Sequence, residues 1–159
     1  MEVETGTGQG EKLKILFLCT GNSCRSQMAE GWTRALKSDL VEVYSAGIET
    51  HGLDPIAVEV MAEAGVDISK QTSKHVNTLI HIAFDTVITV CDNAREACPY
   101  IPWAKKVIHV GFNDSPAMAK ALVAQGASEE EQRNCYRRVR DEIRAFVETL
   151  PECHKDNRQ

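Results

Sequence analysis

The chain has 159 residues, which is enough for a single domain with a hydrophobic core. Its hydrophobic content of 43% and charged content of 26% are those of a globular protein. The net charge of −5 argues against non-specific binding of nucleic acid, and no apolar stretch reaches the length of a membrane span.

The first half of the chain alternates between strand and helix patterns. Residues 13–18 form a short apolar run typical of a buried strand, and residues 26–37 have helical periodicity. We expect the buried face of that helix to consist of Met28, Trp32, Ala35 and Leu36. Residues 41–45 predict the second strand, and the Asp54–Pro55 pair predicts the start of a helix that ends at Gly65.

The second half continues the alternation. Residues 77–83 have a weaker helical pattern, and the third and fourth strands are predicted at residues 86–90 and 106–110. Two further helices are predicted, one from Ser115–Pro116 to Gly126 and a long one after the capping box of Ser128 and Glu131.

The two ends are expected to lie outside the folded part. Residues 1–12 lack the basic and apolar regions of a secretory signal and predict a disordered leader. Residues 151–159 predict a flexible tail, which leaves residues 13–150 as one catalytic domain. Without an export signal we assign the chain to the cytoplasm, where its six cysteines are expected to be thiols.

Strands separated by helices predict an α/β fold, with a four-stranded parallel sheet flanked by helices on both faces. Ligands of such sheets bind at the carboxyl ends of the strands. The loop that begins at Cys19, the thiol of Cys91 and the carboxyl of Asp114 each follow a predicted strand. We therefore expect these groups to converge on one crevice.

The loop after the first strand carries the clearest chemical signal. Its backbone amides can turn inward as an anion-binding nest, toward which the next helix directs its N-terminus. The planar guanidinium of Arg25 matches two oxygens of one anion, and the same positive field favours a nucleophilic thiolate at Cys19. The alternative is an ordinary turn with a chance Cys and Arg. The expected oxyanion-binding residues are Thr20, Gly21, Asn22, Ser23, Cys24, Arg25 and Ser26.

Cys91 and Cys98 form a second group of thiols. Seven helical residues separate two Cα atoms by about 10 Å, whereas a disulfide requires them within about 7 Å. If the intervening segment is helical when reduced, a Cys91–Cys98 disulfide must partly unwind it and lift the bond toward solvent. Beside Cys19 the pair can pass on an oxidation by thiol–disulfide exchange. The alternative is two buried thiols that act as small hydrophobes.

Asp114 is the candidate general acid, because a carboxyl near a thiolate and a bound dianion tends to hold its proton and can donate it to a leaving oxygen. An N-cap of the next helix is the alternative, and both roles can coexist. We expect no metal, since the cysteine spacing lacks a CxxC pair and the histidines lack the spacing of a zinc site.

The loop from Cys19 to Ser26 resembles the phosphate-binding loop of the low-molecular-weight protein tyrosine phosphatases. Cys91 and Cys98 narrow this to a resemblance to the thioredoxin-coupled arsenate reductases, which share that fold, and it extends over roughly residues 13–150. It implies that Cys19 attacks arsenate while Asp114 protonates the departing oxygen.

The resemblance also implies the later steps. Cys91 then attacks Cys19 and releases arsenite, Cys98 attacks Cys91, and thioredoxin reduces the resulting disulfide without a bound cofactor. It further implies that Ser26 orients the loop or hydrogen-bonds the thiolate. Some relatives bind potassium beside the loop, at positions resembling Asn22, Glu30, Ser45 and Thr72. The ammonium group of Lys74 could replace such a cation.

The sequence departs from the family at the acid, because Ser115 intervenes where family members carry Asp-Pro. Cys24 either protects the nucleophile, as in similar phosphatases, or simply packs. The main hypothesis is an arsenate reductase that also accepts phosphate or sulfate in the loop and works as a monomer, without nucleic acid or membrane. The alternatives are a phosphatase acting on phosphomonoesters, which needs no Cys91 or Cys98, and a non-enzymatic redox sensor.

Overall fold

The computed structural model describes residues 12–90 and 104–151. Their strands form one sheet and consist of β1 (Leu13–Cys19), β2 (Val41–Gly47), β3 (Thr86–Thr89) and β4 (Val107–His109). Their α-helices are α1 (Arg25–Lys37), α2 (Pro55–Glu63), α3 (Ser115–Ala124) and α4 (Glu129–Glu148), and a 3₁₀ helix covers Val76–Leu79. None of these helices is long and apolar enough to cross a membrane.

The sheet has the strand order β2-β1-β3-β4, and every pair of neighbours is parallel. The central strand β1 pairs along its whole length with β2 and also with β3. The predicted four-stranded parallel sheet is thereby confirmed. Its carboxyl edge is where β1 ends at Cys19, beside Gly47 at the end of β2.

Side chains of β1 alternate between two apolar clusters, as the two-residue repeat of a strand requires. Ile15 and Phe17 belong to the larger cluster, which includes buried side chains from each of the four α-helices. Leu16 and Leu18 belong to a smaller cluster on the other face, where the 3₁₀ helix and Phe84 pack. The sheet therefore carries the α-helices on one face and the 3₁₀ helix on the other.

Two local predictions were wrong in part. The helical stretch expected at residues 77–83 is the shorter 3₁₀ helix, whose N-cap His75 accepts a hydrogen bond from the Asn77 amide at 3.0 Å. On α1, Ala35 and Leu36 are exposed rather than buried. The buried part of α1 is instead its first nine residues, and its last turn extends past the apolar core.

Side-chain caps fix the starts of three of the helices. Asp54 is the N-cap of α2 and accepts from the Ile56 amide at 2.9 Å, and Asp114 is the N-cap of α3 and accepts from the Ala117 amide at 3.3 Å. Ser128 forms the predicted capping box with Glu131 at the start of α4.

Candidate active site

Four consecutive carbonyl groups of the loop after β1 each accept a hydrogen bond from a neighbouring segment. Within a peptide unit the N–H and C=O groups point in opposite directions. Holding the carbonyls outward therefore turns the following N–H groups inward, as an anion-binding nest requires. The four bonds run from Glu49 N to Thr20 O (2.9 Å), His51 N to Gly21 O (2.9 Å), Gln27 Nε2 to Asn22 O (2.9 Å) and Asp54 N to Ser23 O (3.0 Å).

Asn22 orients the hydroxyl group beside the candidate nucleophile. It adopts a φ of 49°, and its Oδ1 accepts from the Lys74 amide at 2.7 Å, which identifies the other terminal atom as Nδ2. Nδ2 donates to Ser26 Oγ at 2.8 Å and to Ser45 Oγ at 3.0 Å. Ser26 Oγ lies 3.0 Å from Cys19 Sγ. With its oxygen accepting from Asn22, Ser26 has its proton available for a thiolate at Cys19.

Glu30 determines the direction of the remaining hydrogen bonds. It is buried on α1, where its Oε1 accepts from the Ser45 hydroxyl at 2.5 Å and its Oε2 accepts from Arg34 at 2.6 Å. An ionised carboxylate can only accept, so Ser45 donates to Glu30 and accepts from Asn22. Asn22 thus donates to both serines, and Ser45 donates onward to Glu30, so the orientation of each group is defined.

Arg25 and Asp114 meet the loop at one cavity. Arg25 is 8% exposed, its Nη1 donates to the Phe112 carbonyl at 3.2 Å, and its Nη2 lies 3.8 Å from Asp114 Oδ2. The cavity has a volume of about 180 Å³, less than the roughly 300–1,000 Å³ of pockets for drug-sized ligands. It suits a single tetrahedral ion. Its lining consists of Cys19, Thr20, Gly21, Ser23, Cys24, Arg25, His51, Asp114 and Pro116.

The position of Asp114 is compatible with both interpretations of this residue. It caps α3 through Oδ1, while Oδ2 is the oxygen nearer to Arg25 in the cavity. Of the groups expected to converge, the loop and Asp114 are brought together. Cys91 and Cys98 lie outside the described residues.

The strand that precedes Cys91 runs directly beside β1, the strand that leads into the loop. Val90 donates its amide hydrogen to the carbonyl of Leu18 at 2.9 Å, and Leu18 immediately precedes Cys19. Val90 also accepts from the Phe112 amide at 3.4 Å. The described end of this segment thus lies between the start of the loop and the segment that leads to Asp114.

His51 is a cavity residue that the sequence did not single out. Its Nε2 lies 2.6 Å from Glu49 Oε1, and its ring packs against Gly21 so closely that an added Cβ would lie 2.3 Å from Nδ1. The five histidines are scattered along the sequence. The sequence contains only an indirect indication that His51 belongs to the site: position 51 follows the end of a strand, and ligands of parallel sheets bind at strand ends.

Lys74 lies beside the positions at which some relatives were expected to bind potassium. Its Nζ donates to the Thr72 carbonyl at 2.7 Å and lies 3.9 Å from Glu30 Oε1. Burial lowers the pKa of Lys74, while the charge of Glu30 acts in the opposite direction. Among residues 12–90 and 104–151, no group of three or more His, Cys, Asp or Glu side chains could hold a metal ion.

The second cysteine of the loop is in a different environment from the first. Cys24 is 3% exposed and directly precedes α1. Burial, and then the negative charge of Asp54, raise the pKa of the Cys24 thiol well above its ordinary value. Cys24 is therefore a thiol at neutral pH, and Cys19 is the cysteine that the loop presents beside a hydroxyl donor.

The sequence and the fold identify the family. The model of the low molecular weight phosphotyrosine protein phosphatases matches residues 14–159. The chain belongs to this family. Members similar to it include the arsenate reductase of Halalkalibacterium halodurans, which is 47% identical over 91% of this chain and 99% of that protein. The arsenate reductase of Bacillus subtilis is 50% identical over 85% of this chain and 95% of that protein.

Solved structures of this family have the same fold. One described as an arsenate reductase in the phosphate binding state matches with a TM-score of 0.69 and 32% identity, over 87% of this chain and 95% of that one. The low molecular weight protein tyrosine phosphatase from T. tengcongensis matches with a TM-score of 0.62 and 25% identity, over 89% and 99%. The predicted family and fold class are confirmed.

Proposed function

We propose that this protein reduces arsenate to arsenite through Cys19, Cys91 and Cys98, as part of arsenic detoxification. The observation that carries the proposal is the 180 Å³ cavity, which is lined by Cys19, Arg25, Asp114 and the loop after β1. Hydrogen bonds hold the carbonyls of this loop outward, which turns its amides toward the cavity. The similarity to arsenate reductases over most of the chain adds independent support.

In the first half of the reaction the loop amides and Arg25 bind arsenate, a tetrahedral oxyanion. The Cys19 thiolate, stabilised by the Ser26 hydroxyl, forms a sulfur–arsenic bond while one arsenic–oxygen bond breaks. Asp114 gives its proton to the departing oxygen, which leaves as water. Arg25 and the amides stabilise the negative charge that develops on the remaining oxygens.

In the second half Cys91 attacks the sulfur of Cys19. The sulfur–arsenic bond breaks, its electron pair stays on arsenic, and arsenite leaves while a Cys19–Cys91 disulfide forms. Cys98 then attacks Cys91, which frees Cys19 and leaves a Cys91–Cys98 disulfide. The hydrogen bond between Val90 and Leu18 supports the first of these steps. Val90 directly precedes Cys91 in the sequence, and Leu18 directly precedes Cys19.

The electron donor in this proposal is thioredoxin, whose dithiol reduces the Cys91–Cys98 disulfide, and the protein itself holds no cofactor. We also propose that residues 13–150 act as one catalytic domain, as a monomer in the cytoplasm. A reducing compartment suits a relay that must return to three thiols after each turnover.

The test is arsenite formation with thioredoxin, thioredoxin reductase and NADPH. We expect steady turnover by the wild-type protein and by the control Cys135→Ala, a buried thiol that does not line the cavity. Cys91→Ser should form no arsenite. Cys98→Ser should form a single arsenite per chain and stop as a Cys19–Cys91 disulfide, detectable by peptide mass spectrometry.

The same variants separate this proposal from a phosphatase. A phosphatase resolves its cysteine adduct with water, so it would hydrolyse p-nitrophenyl phosphate equally well in wild type, Cys91→Ser and Cys98→Ser. Absence of arsenite from the wild-type protein, or sustained arsenite turnover by both variants, would contradict the reductase proposal. Disulfide formation without either product would favour a sensor.

A further inference from the structure

Asp54 connects the oxyanion loop to two helices. Its amide donates to the Ser23 carbonyl at 3.0 Å, in the middle of the loop. Because this carbonyl points outward, the N–H of Cys24 on the same peptide unit points the opposite way. The position of Asp54 therefore determines the direction of one amide of the nest.

The carboxylate of Asp54 is held from two sides. Oδ1 accepts from the Ile56 amide at 2.9 Å and so caps α2, while Oδ2 accepts from the hydroxyl of Tyr136 at 2.8 Å. Tyr136 lies on α4, 82 positions away in sequence, and is 3% exposed. Burial and the hydrogen bond to Asp54 raise the pKa of Tyr136, so its hydroxyl remains a donor.

Tyr136 belongs to a stripe of α4 side chains that contact α2. The other members pair with carboxylates and a carbonyl along α2, so the stripe holds the whole length of that helix. Tyr136 is the member that reaches its N-terminal end, next to the loop. The other contacts join Arg133 to Glu59 (3.1 Å), Arg137 to Glu63 (2.7 Å) and Arg140 Nη1 to the Val60 carbonyl (2.9 Å).

We propose that Tyr136 is a positioning residue of the oxyanion site, which acts through Asp54 to hold the Ser23–Cys24 peptide in its binding orientation. The Tyr136 hydroxyl fixes the carboxylate of Asp54, and the main-chain amide of Asp54 fixes the carbonyl of Ser23. The hydrogen bond from Tyr136 also offsets part of the negative charge of the Asp54 carboxylate, a charge that would otherwise repel an anion in the nest. The kinetic part of its test rests on the proposed arsenate reduction, but the binding part does not.

The variant Tyr136→Phe removes only the hydroxyl, and inorganic phosphate is the probe of the loop. We expect its dissociation constant, measured by isothermal titration calorimetry, to rise about three- to tenfold, the effect of one lost hydrogen bond. The KM for arsenate should rise by the same factor while kcat changes less than about twofold, because ground state and transition state lose the same interaction.

The control is Tyr44→Phe, which removes the same group from β2, where the hydroxyl donates to Glu42 away from the cavity. Its affinity for phosphate should not change. Asp54→Asn tests whether Tyr136 acts through Asp54: if it does, adding Tyr136→Phe to Asp54→Asn leaves the phosphate affinity of Asp54→Asn unchanged.

Three results would overturn the proposal: wild-type phosphate affinity in Tyr136→Phe, an equal loss in Tyr44→Phe, or full additivity in the double variant. A joint fall in the melting temperature and kcat of Tyr136→Phe would also overturn it, because it would indicate a general loss of structure and not the loss of one positioning contact. Because phosphate binding needs no reduction of arsenate, the absence of arsenite turnover would refute the proposed function and leave this test intact.

Discussion

Cys19 and Cys24 share one loop, but their surroundings separate their chemistry. Cys19 has the Ser26 hydroxyl at 3.0 Å and lies in a nest of amides that favours negative charge. Cys24 is buried near the Asp54 carboxylate, and both effects raise its pKa. A loop with two thiols can therefore present a single nucleophile.

This difference predicts selective alkylation. At neutral pH we expect iodoacetamide to modify Cys19 at least about tenfold faster than Cys24, since thiolate is the reactive form. Because the pKa of Cys24 is raised, its reaction should become appreciable only at alkaline pH. Peptide mass spectrometry after timed quenching measures both rates, and phosphate should protect Cys19. Comparable rates at neutral pH would contradict this account.

Lys74 gives a second prediction at the scale of one side chain. Its ammonium lies 2.7 Å from the Thr72 carbonyl oxygen and 3.9 Å from Glu30 Oε1. The substitution Lys74→Met removes this positive charge and leaves both oxygen atoms available to a potassium ion. We expect the variant, but not the wild type, to be more stable in potassium chloride than in choline chloride, by about 1 kcal/mol. Urea unfolding at equal ionic strength measures the difference.

The control for Lys74→Met is Lys70→Met, which removes a lysine from the same surface cleft without a contact to Thr72. It should respond to both salts as the wild type does. A wild-type protein that itself needs potassium for full stability would show that Lys74 does not take the place of the cation.

At the scale of elements, the segment that follows β2 supports the loop along one side. Gly47 ends β2 opposite Cys19, and two residues further on the main chain bonds to Thr20. A Cβ at Gly47 would lie 2.6 Å from the Glu49 carbonyl oxygen and 2.8 Å from the Asn22 nitrogen. Both are backbone atoms of the site, so neither can move without displacing the nest.

Gly47→Ala should therefore abolish phosphate binding and lower the free energy of unfolding by about 2 kcal/mol or more. Gly21→Ala is the matched comparison, because the three atoms nearest to its Cβ would all belong to the ring of His51, a half-exposed side chain that can rotate away. We expect it to keep measurable phosphate affinity. Calorimetric titration and thermal unfolding check both variants, and the reverse order of effects would refute this view of the segment.

At the scale of the whole molecule, the sequence predicted what depends on local patterns. Apolar runs located the strands, and capping residues such as Asp54 and Ser128 located helix starts, because both signals lie within a few residues. The loop from Cys19 to Arg25 was visible for the same reason. The exposed end of α1 was missed because periodicity does not show where a helix leaves the core.

The support of the site was not predictable from local patterns. Ser45 and Glu30 lie on different elements, and Tyr136 meets Asp54 across 82 positions. Such pairs have no characteristic spacing in the sequence, because only the packing of α1, α2 and α4 on one face of the sheet brings them together. His51 was missed for a similar reason, because only the folded chain places its ring against Gly21.

Since distant segments build the cavity, an anion in it should stabilise the whole fold. Phosphate at a hundred times its dissociation constant adds about 2.7 kcal/mol, which corresponds to a rise in melting temperature of about 5–10 °C for a chain of this size. Arg25→Lys keeps the charge but loses the planar fork, so most of this rise should disappear. Cys19→Ser should keep it, because the amides and Arg25 remain. Thermal unfolding with and without phosphate measures all three proteins, and an equal rise in Arg25→Lys would show that the guanidinium does not hold the anion.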